Sequence, residues 1–327
     1  MAEVRVGDPG FLVTIQDARG RPGLGRFGIP PGGALDAIAA RLANRLVGNA
    51  GDEPVLEIAF GGLALHWSGA ALVALGGANL GAEVDGLRLP PGHSVRVAAG
   101  ATMRFGAAGG GSPTVAGARA YLAVGEGFAV ESVLGSASTD TRSGFGGIAG
   151  RALEAGDVIR FAGRATGPLR SVVGPTHLEV EARRPLMIVP TPISLGWFTR
   201  AASDTVVGVD WVVQPDSDRS GIRLSGPRLE ARVAGIPSLG VPVGSVQVPP
   251  SGDPIVTMAD GPVTGGYPVI GVVPRFEHGR LAQAIPGDVL RFAWASVRDA
   301  RLAGVDAAQR ELGVEVELGD FAAGWAR

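Results

Sequence analysis

Ala155-Gly156-Asp157-Val158-Ile159-Arg160-Phe161 and Pro286-Gly287-Asp288-Val289-Leu290-Arg291-Phe292 are two versions of one phrase, and Ala99-Gly100-Ala101-Thr102-Met103-Arg104-Phe105 is a looser third. Each opens on a turn, where glycine tolerates a positive φ that other residues avoid. Each continues with residues that alternate between two faces of a strand. Working outward, short segments rich in Val, Leu and Ile recur at 71–75, 94–97, 121–124, 158–161, 186–189, 245–248, 255–258 and 289–292. The 53 glycines and 24 prolines punctuate them. Short strands separated by turn formers are the pattern of an all-β barrel or sandwich.

The phrase occurs in both halves of the chain, and Pro30-Pro31-Gly32-Gly33 has an echo in Pro249-Pro250-Ser251-Gly252. Two related domains are therefore expected. The boundary falls where Gly163, Gly167 and Pro168 cluster, giving domains over 1–165 and 166–295 and a C-terminal extension over 296–327. Helices are few. Residues 34–47 carry an apolar stripe of Leu35, Ile38, Ala39, Leu42 and Leu46, with Gly48 at the stop. Residues 294–312 form a weaker helical pattern, followed by an alternating segment at 314–318 and a loose tail.

Composition narrows the function. The net charge of −2 gives no field that would draw the protein to nucleic acid or an anionic membrane. No apolar run approaches the roughly 20 residues that span a bilayer, and residues 1–8 lack the apolar core of a secretory signal. A cytoplasmic protein is expected. With no cysteine there is no disulfide, thiolate nucleophile or sulfur-ligated metal. All 29 basic residues are arginine, so no lysine can form a Schiff base or carry biotin. Any bound anion must be met by arginine or by backbone N–H groups. His66, His93, His177 and His278 lack paired-ligand spacing, so no metal site is expected. Gly23-Leu24-Gly25-Arg26-Phe27-Gly28 fits G-x-G-x-x-G, but the prolines on either side deny it the strand and helix that a dinucleotide site needs.

Four stretches carry polar chemistry. Gln16 and Asp17 precede Arg21. Gly32-Gly33-Ala34-Leu35-Asp36 leads into a helix bearing Arg41 and Asn44. Residues 138–147 place Arg142 and Gly146 in a hydroxyl-rich glycine loop. Asp260, Thr264, Gly265, Gly266 and Tyr267 lie downstream of Gln247. Glycine turns free backbone N–H groups to meet an anionic or amide ligand.

In this order, these phrases resemble the allophanate hydrolase subunit 2 family, also called the biotin-dependent carboxyltransferase family, to which the C components of bacterial 5-oxoprolinase belong. Further carriers are Leu56-Glu57, Ala118-Arg119-Ala120-Tyr121, Ser217-Asp218-Arg219 and Gln247-Val248-Pro249-Pro250, and the likeness runs from about Asp8 to Phe292. The sequence departs from the family pattern at Asp140, Ser143 and Gly261-Pro262. The resemblance implies a mainly-β protein of two cyclophilin-like β-barrel domains. It implies two kinds of partner: the B component of 5-oxoprolinase, which is an allophanate hydrolase subunit 1 homologue, and the A component. Together these open the lactam of 5-oxoproline to L-glutamate. ATP is consumed by the complex and not necessarily bound by this chain.

On this reading Arg21, Arg142 and Arg219 hold anionic groups, Asp36 or Asp260 serves as acid or base, and Gly265, Gly266 and Tyr267 line a small-molecule amide. Gln16, Asp17, Arg41, Asn44, Gly146, Gln247 and Thr264 complete the expected binding set. One alternative is a carboxyltransferase that moves CO2 from carboxybiotin to urea or a related amide, with biotin supplied from elsewhere. Another is a regulatory binding protein acting on an allophanate hydrolase subunit 1 or kinase-inhibitor homologue.

Overall fold

The computed structural model describes residues 1–106, 117–172, 184–312 and 316–318. The repeated phrase does the same work at each occurrence. Gly100, Gly156 and Gly287 adopt φ of +86°, +91° and +92°. No atom lies within 4 Å of where a Cβ would stand on any of them, so conformation rather than space demands glycine. Their N–H groups donate to the carbonyls of Trp67, Val6 and Val213 at 2.7, 2.8 and 2.9 Å. Those same residues donate back to the carbonyls of Ala101, Asp157 and Asp288 at 3.0, 2.9 and 2.9 Å. Each copy thus locks a turn onto a neighbouring strand. The Asp157 carboxylate also takes a bidentate bond from Arg151, at 2.7 and 3.0 Å, which holds it below its usual range.

The protein is mainly β and divides into two compact units. Met1–Arg21, Gly32–Val180 and Val314–Arg327 make the first, Pro22–Pro31 and Glu181–Gly313 the second. The glycine loop that follows Arg21 therefore belongs with the second unit, where Gly25 approaches Val263.

In the first unit a seven-stranded sheet runs in the order Phe128–Ala129, Val158–Phe161, Ala2–Pro9, Leu63–Trp67, Thr102–Arg104, Glu83–Val84, Leu87–Arg88. A five-stranded sheet runs Leu12–Gln16, Val55–Ala59, Arg119–Val124, Ala71–Gly77, Ser94–Val97. One core cluster draws on both sheets. It joins Val4, Leu65, Trp67, Met103 and Phe161 of the larger to Ile15, Ile58, Val73 and Leu122 of the smaller. The expected closed barrels are not found. Among the described residues the sheets stay open, since in each of the larger ones the first and last strands do not pair. The sandwich that the strand pattern also allowed describes this unit better.

The second face of the five-stranded sheet is covered by the helix Ala37–Val47. Leu42, Leu46 and Val47 pack there with Leu72, Ala74, Tyr121 and Ala123. A Cβ on Gly76 would stand 2.1 Å from the Ala39 carbonyl, so glycine permits this close approach. The helix starts at 37 rather than 34 because Asp36 is its N-cap, accepting the Ala39 N–H at 3.1 Å.

The second unit holds a six-stranded sheet in the order Val269–Val272, Ser245–Gln247, Ile255–Thr257, Gly221–Ser225, Trp211–Val213, Val289–Leu290. Two small ribbons accompany it. Leu186–Ile188 pairs in parallel with Phe292–Trp294, and Leu239–Gly240 pairs antiparallel with Thr264–Gly265. Trp294 is thereby a strand residue, and the last helix begins later, at Val297–Leu312, capped by Ser296 and Asp299. Val316–Leu318 pairs with Arg170–Val172 of the first unit, while the expected tail at 319–327 lies outside the described residues. Among the described residues no helix is long and apolar enough to cross a membrane.

Fully buried Glu277 anchors this unit, taking Arg184 at 2.5 Å and Arg280 at 3.0 Å. Beside it the His278 Nε2 donates to the Val273 carbonyl at 3.0 Å. Burial pushes the His278 pKa from 6.5 down to about 4. The folded imidazole is therefore neutral at pH values where the unfolded one already binds a proton. Its contribution is whole above pH 6.5 and is lost as pH falls towards 4. We expect the second unit to lose up to about 3 kcal/mol across that window from this group. His278→Gln, which keeps a donor without titrating, is expected to flatten the profile of denaturation midpoint against pH. An unchanged slope in the variant would contradict this.

Candidate functional site

The strand Leu12–Gln16 ends at a polar knot in the first unit. Asp17, 5% exposed, spends both carboxylate oxygens on neighbours. Oδ1 accepts the N–H groups of Arg19 at 3.1 Å and Gly20 at 2.6 Å, and Oδ2 accepts Ser136 Oγ–H at 2.5 Å and the Ala137 N–H at 2.8 Å. Its own N–H donates to Ser138 Oγ and its carbonyl accepts the Ala34 N–H. Arg21, also buried, donates to the carbonyls of Val133, Ser136 and Ser138 and lies 4.7 Å over the Phe145 ring. A Cβ on Gly146 would collide with the Ser138 carbonyl at 2.1 Å and with the Arg21 guanidinium at 2.7 Å. Gln16 donates from Nε2 to Thr14 Oγ1 and the Thr139 carbonyl. Gln16, Asp17, Arg21 and Gly146 are thus gathered, as a fastening for loop 133–147.

A second buried group lies in the same unit. Glu57 Oε2 accepts the Leu35 N–H at 2.9 Å and the Tyr121 hydroxyl at 3.0 Å, and Oε1 lies 3.7 Å from Arg119 Nε. The Asp36 N–H donates to Tyr121 Oη at 2.8 Å. Burial first, then the charges of Glu57 and Asp36, push the Tyr121 phenol well above its usual range, with Arg119 opposing. Asp36 is fully buried here and caps the helix.

Other expected residues lie apart from these groups. Asn44 donates to the carbonyls of Gly51 and Glu53, and Arg41 pairs with Asp52 at 3.5 Å, so both serve the turn after the helix. Arg142 is exposed at the tip of its loop, where its N–H and that of Ser143 bond Asp140 Oδ1.

In the second unit Arg219 and Asp260 form one buried bidentate pair, Nε to Oδ2 at 2.7 Å and Nη2 to Oδ1 at 3.0 Å, each side chain 6% exposed. An expected anion holder and an expected acid or base are matched to each other. Nearby, Thr264–Gly265 forms a ribbon edge, and Tyr267 presents its phenol to solvent at 43% exposure. Gln247 is 5% exposed. A Cβ on Gly265 would stand 2.8 Å from the Gln247 Nε2, so the bare glycine backbone faces the carboxamide. Gln247, Gly265 and Tyr267, with Thr264 and Gly266, are thus on or against one turn. A carboxamide, a hydroxyl, a phenol and unhindered backbone can meet a small polar ligand that both donates and accepts.

Sequence reasoning assigns no role to Glu57, Arg119, Tyr121 or Ser136. A signal exists for two of them: Glu57 is the one charge in the apolar strand Val55–Ala59, and Tyr121 is one of only two tyrosines.

Two compact β units with polar glycine turns describe a class of mainly-β protein in which loops carry the chemistry. The chain belongs to the family described as carboxyltransferase domain, subdomain A and B, whose model matches residues 27–294. It is similar to the C component of 5-oxoprolinase from Haemophilus influenzae, 36% identical over 88% of this chain and 89% of that protein. It is similar to the protein of the same name from Escherichia coli, 35% identical over 89% of this chain and 91% of that one. Among solved structures, the Kluyveromyces lactis urea carboxylase aligns with TM-score 0.83 and 25% identity over 96% of this chain. The chain spans only 29% of that much longer protein.

The Arg219–Asp260 pair gives a direct test of how this region is held. Arg219→Met strands a buried carboxylate and is expected to cost about 3–5 kcal/mol in chemical denaturation, with much of the loss recovered by adding Asp260→Leu. A loss under about 1 kcal/mol, the range of an exposed pair, would contradict the assignment.

Proposed function

We propose that this chain is the C component of an ATP-dependent 5-oxoprolinase, active in a cytoplasmic complex with the A and B components. One observation carries the reading. The 36% identity to a 5-oxoprolinase component of that name extends over nearly the full length of both proteins. The putative urea carboxylase of Emericella nidulans, by contrast, is matched over 25% of its length. The reaction opens a lactam to an amino acid. An amide carbonyl is a weak electrophile, so the site must stabilise negative charge as it gathers on the oxygen. Oriented donors in a water-poor site supply several kcal/mol towards that end. The turn 264–267 and Gln247 are the groups of this chain that suit the task. ATP supplies the driving force and is a property of the complex. Gln16, Asp17, Arg21, Glu57 and Tyr121 keep the loops of the first unit in place.

A second reading has its own support. The family description and the likeness to urea carboxylase favour a protein that moves CO2 from carboxybiotin to urea or a related amide. In that case biotin arrives on another protein, since this chain has no lysine to bear it.

Purified components decide between them. The chain combined with the A and B components is expected to release glutamate from 5-oxoproline only when ATP is present, and omission of this chain is expected to abolish turnover. A full set that ignores 5-oxoproline but carboxylates urea with a biotin carrier would replace the first reading with the second.

A further inference from the structure

Gln247 differs from the polar groups beside it in the second unit. Ser245 Oγ donates to the Pro242 carbonyl at 2.7 Å. Thr257 Oγ1 donates to the same carbonyl at 3.0 Å and accepts the Ser245 N–H at 3.0 Å. Gln247 is as deeply placed, at 5% exposure, yet among the described residues its carboxamide meets no hydrogen-bond partner. The nitrogen and oxygen of this carboxamide keep contact with solvent, so both are open to a ligand.

Two features shape its surroundings. The ladder with the strand Val269–Val272 pairs Val246 with Gly271 but Gln247 with Val269, leaving Ile270 as the extra residue of a bulge. The bulge bends the partner strand directly opposite Gln247. Opposite, the ribbon register Leu239↔Gly265 sets Gly265 against the amide. A Cβ there would come within 2.8 Å of Nε2 and 3.2 Å of Val241 Cγ2, so glycine lets the ribbon pack directly against the carboxamide. Tyr267, on the same turn, is exposed.

We propose that Gln247 is the group that reads the substrate amide, and that it selects amides whose N–H and C=O lie on one edge. A carboxamide offers one acceptor oxygen and two donor hydrogens on a planar frame. It can pair bidentately with a cis amide, accepting the N–H and donating to the carbonyl. A lactam ring enforces that cis arrangement, and urea also presents it. An acyclic secondary amide is trans, with N–H and C=O on opposite edges. The proposal takes its lactam from the 5-oxoprolinase reading, but the recognition rule concerns amide geometry.

The test titrates the full-length chain with 2-pyrrolidinone, N-methyl-2-pyrrolidinone and N-methylacetamide, and repeats the titration with Gln247→Leu and Gly265→Ala. Saturable binding of 2-pyrrolidinone is expected. The N-methylated lactam, the trans amide and both variants are each expected to weaken it by about tenfold or more. Equal affinity for the two lactams, no lactam binding by the unaltered chain, or full binding by a folded Gln247→Leu chain would overturn the proposal. The comparison of the two lactams needs no variant, so a misfolded substitution leaves the test intact. In the assembled complex, Gln247→Leu is expected to raise KM for 5-oxoproline more than it lowers kcat. Unchanged KM there would sink this inference and leave the 5-oxoprolinase reading standing. Gln247-dependent lactam binding in a complex that never opens 5-oxoproline would do the reverse.

Discussion

One carboxylate fastens three segments of the first unit. Asp17 receives four donors, two from its own turn and two from residues 136–137, while its backbone ties Ser138 and Ala34. A buried carboxylate is costly unless such donors surround it. The requirement runs both ways: the charge is tolerated because the loops converge, and the loops converge because the charge must be met. Arg21 then adds three bonds to the loop carbonyls, and Gly146 leaves room for its guanidinium. The apolar sandwich beneath sets the strand ends. The polar layer above decides where the loops go.

The second unit separates holding from reading in a similar way. Arg219 and Asp260 meet each other, as do Glu277, Arg184 and Arg280. Such buried pairs hold structure and leave no charge free for a substrate. The Gln247 carboxamide and the exposed Tyr267 phenol keep hydrogen-bonding capacity in reserve. Neutral donors and acceptors suit a neutral amide better than a naked charge would, because they cost less to desolvate.

Much of the architecture can be read from local chemistry. The repeated phrase marks turns whose glycines indeed sit near φ +90°, and the strands at 94–97 and 158–161 fall where the alternating pattern puts them. The helix start is displaced because Asp36 caps from outside the helix, and Trp294 belongs to a strand because a parallel partner at Ile188 claims it. Closed barrels are an expectation from resemblance, whereas closure depends on whether the first and last strands of a sheet pair, which no local pattern records. The polar residues themselves are visible. Their partners are not, since Asp17 meets Ser136 across 119 positions and Arg219 meets Asp260 across 41. A lone aspartate in a sequence looks the same whether it awaits a proton or holds a loop.

Amide hydrogen exchange on Asp17→Asn tests this account most directly. Loss of one acceptor oxygen should release the Gly20, Ala34, Ala137 and Thr139 amides together, with protection in the strand Arg119–Val124 unchanged. Independent release of single amides, or a uniform fall across the whole first unit, would show that the loops are not held through this carboxylate.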